Sequence, residues 1–258
     1  MLIGAMNHPQ RDPIEEMAWM AQYGLDFIDL TLEPPAADWR VLNPGRVREA
    51  LHRYELKVVG HTPFYLPLAS PLPLVRKAAI EEMKRCIEFF AAVGVGWINL
   101  HPDPYRPFAS RKELERANRE ALAELLDHAR LHQVNLMLEN IPRAFNSVEQ
   151  LAPLLDPLPD LGLHLDIGHC ELDQPTNSAP EIIAHYGPRI RHVHLHDNKG
   201  GSTDLHLPLG AGTIDYETIL GVLKASGYDG TITLEVFSRD GALFRHSQER
   251  LRKVWDSL

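Results

Sequence analysis

Nine residues of metal-binding type recur along this chain, most at the ends of short apolar runs and about thirty to forty residues apart. They are His61, His101, Glu139, Asp166, His169, His194, Asp204, His206 and Glu235. A single His or Glu at the end of an apolar run carries little meaning. A whole series restricted to His, Asp and Glu implies strands that converge on one pocket. Five imidazoles and four carboxylates in one pocket make the ligand set of a metal site, and hence point to an enzyme.

Charge bounds the chemistry. Four partly buried carboxylates repel one another, and some would protonate without cations. The four carry −4, so one divalent ion leaves −2, two ions neutralise the set and three leave +2. One or two ions suit a neutral or weakly charged substrate, and three suit a phosphate. Imidazole-rich ligation favours Zn²⁺, Mn²⁺, Fe²⁺ or Co²⁺ over Mg²⁺. Zinc or manganese is the leading expectation, with one to three ions.

Something must hold these residues at strand ends. Strand patterns fall near 2–6, 25–31, 56–61, 97–101, 134–139, 162–166, 190–196 and 231–236. Amphipathic helical patterns fall near 13–23, 44–53, 72–93, 110–132, 147–155, 179–186, 215–225 and 241–256. Ser110 with Glu113 has capping-box spacing, Asn43-Pro44 places Pro at a first helical position, and Gly24, Gly94 and Gly227 sit where helices should stop. Strict alternation gives a parallel sheet, and eight repeats give a closed (β/α)8 barrel, here one domain over residues 1–258. Along the strands, Thr233 and Glu235 alternate with Ile232, Leu234 and Val236. His164 and Asp166 alternate with Leu163, Leu165 and Ile167. The polar face should point inward and open at the C-terminal strand ends.

The remaining histidines have blander readings. His52, His128, His132 and His185 fall in helical or loop patterns and read as surface residues. His164 and His192 lie deeper on their strands and read as hydrogen-bonded interior residues. His8 stays undecided, and His196 is expected to support the site from behind His194. Cys86 reads as a small core residue, and so, on balance, does Cys170. Arg143 and Lys199 could meet a phosphate or carboxylate.

Composition is that of an ordinary globular chain: 258 residues, 44% hydrophobic, 24% charged, two cysteines and a net charge of −9. Two cysteines are too few for a disulfide framework. The acidic balance counts against a nucleic-acid surface without excluding one. With no apolar run of membrane-spanning length and no signal-like segment, the expectation is a cytoplasmic protein, free of the membrane and compatible with a homo-oligomer.

Four segments together are more specific than any ligand alone. They are Leu138-Glu139-Asn140, Leu165-Asp166-Ile167-Gly168-His169, His194-Leu195-His196-Asp197, and the run from Asp204 to Asp215, which reads Asp-Leu-His-Leu-Pro-Leu-Gly-Ala-Gly-Thr-Ile-Asp. On these segments the chain resembles the xylose-isomerase-like barrel superfamily over nearly its whole length. That superfamily holds sugar and sugar-phosphate isomerases and epimerases, and also endonuclease IV.

The resemblance implies two chemistries. In the isomerase and epimerase branch, Glu139, Asp166, His194 and Glu235 match the positions that hold one divalent ion. Glu139 and Glu235 would move a proton on and off carbon beside a metal-polarised carbonyl, through an enediolate. His101 and His169 would orient hydroxyls of a sugar or sugar phosphate. In the endonuclease IV branch, all nine positions match a three-zinc phosphodiesterase site. The chain departs from that branch in its first strand, Leu2-Ile3-Gly4-Ala5-Met6-Asn7-His8-Pro9. It departs again in the loop Glu33 to Trp39, which has no basic residue before Arg40; a DNA-reading loop should be basic. A non-catalytic sugar- or metal-binding barrel would have a degraded proton-transfer pair, whereas Glu139 and Glu235 are both present. A metal-dependent isomerase or epimerase is therefore expected, with the phosphoester hydrolase second.

Overall fold

The structure is a computed structural model that describes residues 1–237 and 241–258. Among these residues the strands are β1 (Leu2–Met6), β2 (Phe27–Thr31), β3 (Lys57–His61), β4 (Trp97–Leu100), β5 (Asn135–Glu139), β6 (Gly162–Asp166), β7 (Ile190–Leu195) and β8 (Thr231–Leu234). They are hydrogen-bonded in sequence order into a closed barrel. The helices are α1 (Pro13–Gln22), α2 (Pro44–Arg53), α3 (Pro73–Val93), α4 (Arg111–Leu131), α5 (Val148–Leu155), α6 (Ala179–Tyr186), α7 (Tyr216–Ala225) and α8 (Gly241–Ser257). This is the (β/α)8 barrel expected from the alternation. No helix among the described residues is long and apolar enough to cross a membrane.

Local chemistry sets the boundaries. The Ser110 side chain and Glu113 form the full capping box that starts α4. Asn43 caps α2 through the amides of Gly45 and Arg46, with Pro44 at the first helical position. Gly24, Gly94 and Gly227 stop their helices at φ values of 66°, 91° and 88°, where a Cβ would be strained. Strand β2 begins at Phe27, two residues later than its pattern suggests. The Leu25 amide is still donated to Met20 at the end of α1. Strands β4, β7 and β8 stop one or two residues short of their patterns, so His101, His196 and Glu235 lie just past strand ends.

The chain divides into two compact units. One comprises Met6–Glu139 and Ala152–Gly162. The other comprises Met1–Ala5, Asn140–Leu151 and Leu163–Leu258. In the first, Phe27, Ile28, Leu30, Met83, Ile87 and Phe90 are almost wholly buried. Each such side chain contributes roughly 1.5–3 kcal/mol on leaving water. Gly60, beside His61, admits the Phe90 ring, because an added Cβ would sit 3.0 Å from it. In the second unit, Leu163, Leu165, Val193, Leu195 and Ile232 are wholly buried on the face that alternates with His164, Asp166 and His194. Parallel pairing sets Asp166 opposite His194, and His194 opposite Thr233.

Candidate functional site

In the first unit, register brings three strand ends together. His61 pairs with Asn99 and Asn99 with Met137, so His61, His101 and Glu139 meet at the ends of β3, β4 and β5. Glu139 Oε2 lies 2.9 Å from His101 Nε2 and 3.4 Å from His61 Nε2. The Asn99 amide also donates to Glu139 Oε2. The two imidazole rings meet edge-on at 5.0 Å. The buried Nδ1 of His101 has no hydrogen-bond partner among the described residues. Phe64 stands over His101 with ring centroids 6.4 Å apart. Beneath it, Glu33 is 7% exposed and accepts the Phe64 amide at 3.0 Å. Burial pushes the Glu33 carboxyl above its ordinary range, opposed by that hydrogen bond and the nearby His61.

The second unit gathers Asp166, His169, His194, Asp204, His206 and Glu235, and His196 with them. His194 Nδ1 is 3.1 Å from Glu235 Oε2 and 3.7 Å from Asp166 Oδ2. His196 Nε2 is 3.2 Å from Asp166 Oδ1 and 3.9 Å from Glu235 Oε2. Asp204 Oδ2 contacts His206 Nε2 at 2.9 Å and His169 Nε2 at 3.1 Å. His169 uses its other nitrogen on the Asn140 carbonyl, at 2.9 Å. A partner of that kind fixes the ring and tautomer of a ligating histidine. Asn140 in turn accepts the Asp166 amide at 2.7 Å and donates to the Asp166 carbonyl. It also reaches Cys170 Sγ at 3.3 Å. Cys170 is wholly buried, and burial pushes its thiol far up, away from the thiolate that ligates metals.

The loop carrying Asp204 and His206 is built for close approach. Asp197 accepts the amides of Gly210 and Gly212 on Oδ2, and those of Asn198 and Ile214 on Oδ1. A Cβ at Gly212 would lie 2.2 Å from both Asn198 O and Asp197 Oδ1, so only glycine fits. Asn198 donates to Asp204 Oδ1 at 3.0 Å. A Cβ at Gly168 would lie 2.1–2.5 Å from the His196 ring, which explains the glycine between Asp166 and His169. His206 has φ 45°, an uncommon conformation for a side-chain-bearing residue that concentrates at functional sites. It stacks on His196 and on Phe237, each at 4.2 Å.

Electrostatics inside this group are mutual. Burial pushes Asp204 up, but hydrogen bonds from His169 and His206 more than offset it and hold it far below the carboxylate range. Burial pushes His206 down, and Asp204, Glu235 and Asp166 more than reverse this. The buried His196 Nε2 faces two carboxylates without making a hydrogen bond. Three carboxylates and four imidazoles at these distances fit a divalent cation. Sequence reasoning placed His196 behind the site; the structure sets it among the carboxylates. The roles of Glu33, Asn140 and Asp197 escaped the sequence reading, because nothing local marks a hydrogen bond to a distant strand.

Of the interior histidines, His192 behaves as expected, bonding Thr231 and Thr233 through its two nitrogens at 2.7 and 3.0 Å. His164 is wholly buried as expected, but what holds its ring is packing against His192 and His194. Arg143 is exposed and pairs with Asp173 at 3.4 Å.

The protein is 33% identical over 232 residues to the uncharacterized protein MJ1311 of Methanocaldococcus jannaschii, covering 85% of this chain and 77% of that one. It is 27% identical over 201 residues to the ketose 3-epimerase of Arthrobacter globiformis, covering 74% and 66%. A crystal structure of a D-tagatose 3-epimerase-like protein superposes with a TM-score of 0.89 and 27% identity, covering 99% and 97%. The family profile described as the xylose isomerase-like TIM barrel matches residues 17–254. With strand-end carboxylates and histidines set in a closed eight-stranded barrel, the chain belongs to the xylose isomerase-like TIM barrel family.

Proposed function

We propose that this protein is a divalent-metal-dependent epimerase or isomerase of a sugar or sugar derivative. One observation carries the reading: both carboxylates of the expected proton-transfer pair are buried against imidazoles, Glu139 with His61 and His101, Glu235 with His194 and His206. The similarity to a ketose 3-epimerase supports a ketose as the substrate, altered at C3.

In this reading Glu139, Asp166, His194 and Glu235 hold the ion, zinc or manganese, on the strand-end positions of the family pattern. When bound, the metal polarises the substrate carbonyl and its neighbouring hydroxyl. Glu139 and Glu235 remove a proton from carbon and return one from the opposite side. Their imidazole neighbours hold the carboxylates in place. His101 and His169 orient substrate hydroxyls, and Asn140 fixes the His169 ring that does so.

A second reading, a phosphoester hydrolase with more than one zinc, rests on a specific observation. His169, Asp204 and His206 form a contiguous donor group of their own. A paired assay separates the two. The protein is incubated with a panel of ketoses in heavy water, and separately with a duplex containing an abasic site. The expected result is deuterium at C3 of at least one ketose and an intact duplex. Strand cleavage that depends on His206, with no exchange into any ketose, would overturn the proposal in favour of hydrolysis.

A further inference from the structure

His128 and His132, read from sequence as surface residues, stand one helical turn apart at the C-terminal end of α4, with His132 as the capping residue. Residues four apart share a helix face, and their rings lie 4.7 Å apart. Across the interface, Glu88 on α3 places Oε1 3.3 Å from His128 Nε2. All three donor atoms lie within 4.8 Å of one another. Ligand atoms around a tetrahedral zinc are roughly 3.3 Å apart, so one pair is already at that spacing. We propose that Glu88, His128 and His132 form a peripheral binding site for a divalent transition-metal ion, separate from the strand-end residues, that ties α3 to α4.

The competing explanation is a plain Glu–His ion pair between partly exposed side chains, which is worth little. Two observations favour a metal. First, His128 Nε2 is buried and lies 3.3 Å from the Glu88 carboxylate without the alignment of a hydrogen bond. Second, Glu88 is oriented from behind, since Arg85 donates to its other oxygen, Oε2, at 2.8 Å. The nearby Lys84 is engaged with Glu81 and Glu124. The negative end of the α4 dipole also favours a cation at this turn.

The framework is held in register. Arg76 pairs with Glu120, and Lys84 with Glu124. Glu88 facing His128 is the next rung of that ladder. His132 lies three residues before β5, whose far end is Glu139, so within this unit the site is at the strand end opposite Glu139. That face of a barrel serves stability rather than chemistry. Two imidazoles and one carboxylate select zinc, copper or nickel over magnesium or calcium, with water in the remaining position.

The test uses the full-length protein, wild type and with His128→Gln or His132→Gln, equilibrated with zinc and dialysed before metal analysis. Wild type should retain one more zinc per chain than either variant. A competing chelator should show affinity for that equivalent falling about tenfold or more. The same difference should persist when Glu139→Ala and Glu235→Ala are present throughout, which separates this site from the strand-end residues. Equal zinc content in wild type and both variants would overturn the proposal, as would an extra wild-type zinc that survives replacement of both histidines.

Discussion

The group around Glu139 and the group around Asp166 use the same residue types but are held differently. The first is three strand ends: His61 and Glu139 on β3 and β5, with His101 one residue past β4. The ladder alone brings its side chains together. In the second, Asp166 and His194 sit on strands, while Asp204 and His206 ride a loop that needs its own framework. That framework is Asp197 with four amides, a glycine at 212 that no other residue could replace, and His206 at positive φ. Strands place side chains accurately at no added cost, whereas loops need dedicated anchors. The first group has one carboxylate and two imidazoles, while the second has three carboxylates and four imidazoles whose charges stabilise one another. The second group therefore has more to lose from disruption of its loop.

That difference can be broken at several points. The largest effect should come from Asp166→Asn, which removes charge from a residue contacting both His194 and His196. Loss of several kcal/mol of transition-state stabilisation predicts a fall in ketose turnover of roughly a hundredfold to a thousandfold, read by steady-state kinetics. Next comes Asp197→Ala. It strands four amides, three of them in the loop from Gly210 to Ile214, and should cost about 3 kcal/mol. In a chain of this size that lowers Tm by roughly 6–12 °C. Activity should fall as well, because Asp204 and His206 lose their support. The matched change in the first group, Asn99→Ala, alters a residue that sits on a strand, and should move Tm less. A larger Tm loss for Asn99→Ala than for Asp197→Ala would refute the contrast.

The smallest effect concerns Glu33. Its carboxyl is raised by burial, so the folded state binds the proton more tightly than the unfolded chain. Its contribution therefore becomes less favourable as pH climbs from the ordinary value of 4.5 through the raised one. Glu33→Gln keeps an acceptor for the Phe64 amide and removes that penalty. Metal-free variant should exceed wild type in Tm by roughly 1–3 °C at neutral pH, and the gain should vanish below pH 4.5, as followed by thermal unfolding across pH.

The barrel was legible because periodicity is a local signal. Alternation in Thr231–Leu234 and the cap chemistry at Ser110 and Asn43 fix elements from neighbouring residues alone. Strand-end histidines and carboxylates were legible for the same reason. What sequence hides is how far a side chain reaches once strands pair. His196 follows His194 by one pleat, and only the close approach at Gly168 draws its ring against Asp166. Glu33 looked like an ordinary loop residue until the fold buried it beneath Phe64. His128 and His132 looked like solvated helix residues until α3 placed Glu88 opposite them.

The central claim is that Glu139 and Glu235 both hold the ion and carry the proton. It is tested most directly by measuring bound metal and solvent deuterium exchange together in wild type, in Glu139→Ala, in Glu235→Ala and in the double variant. Metal content is counted above any zinc held by Glu88, His128 and His132. The account predicts that each single variant loses exchange and binds the strand-end ion more weakly, and that the double variant loses that ion altogether. Unchanged strand-end metal occupancy in the double variant would contradict it.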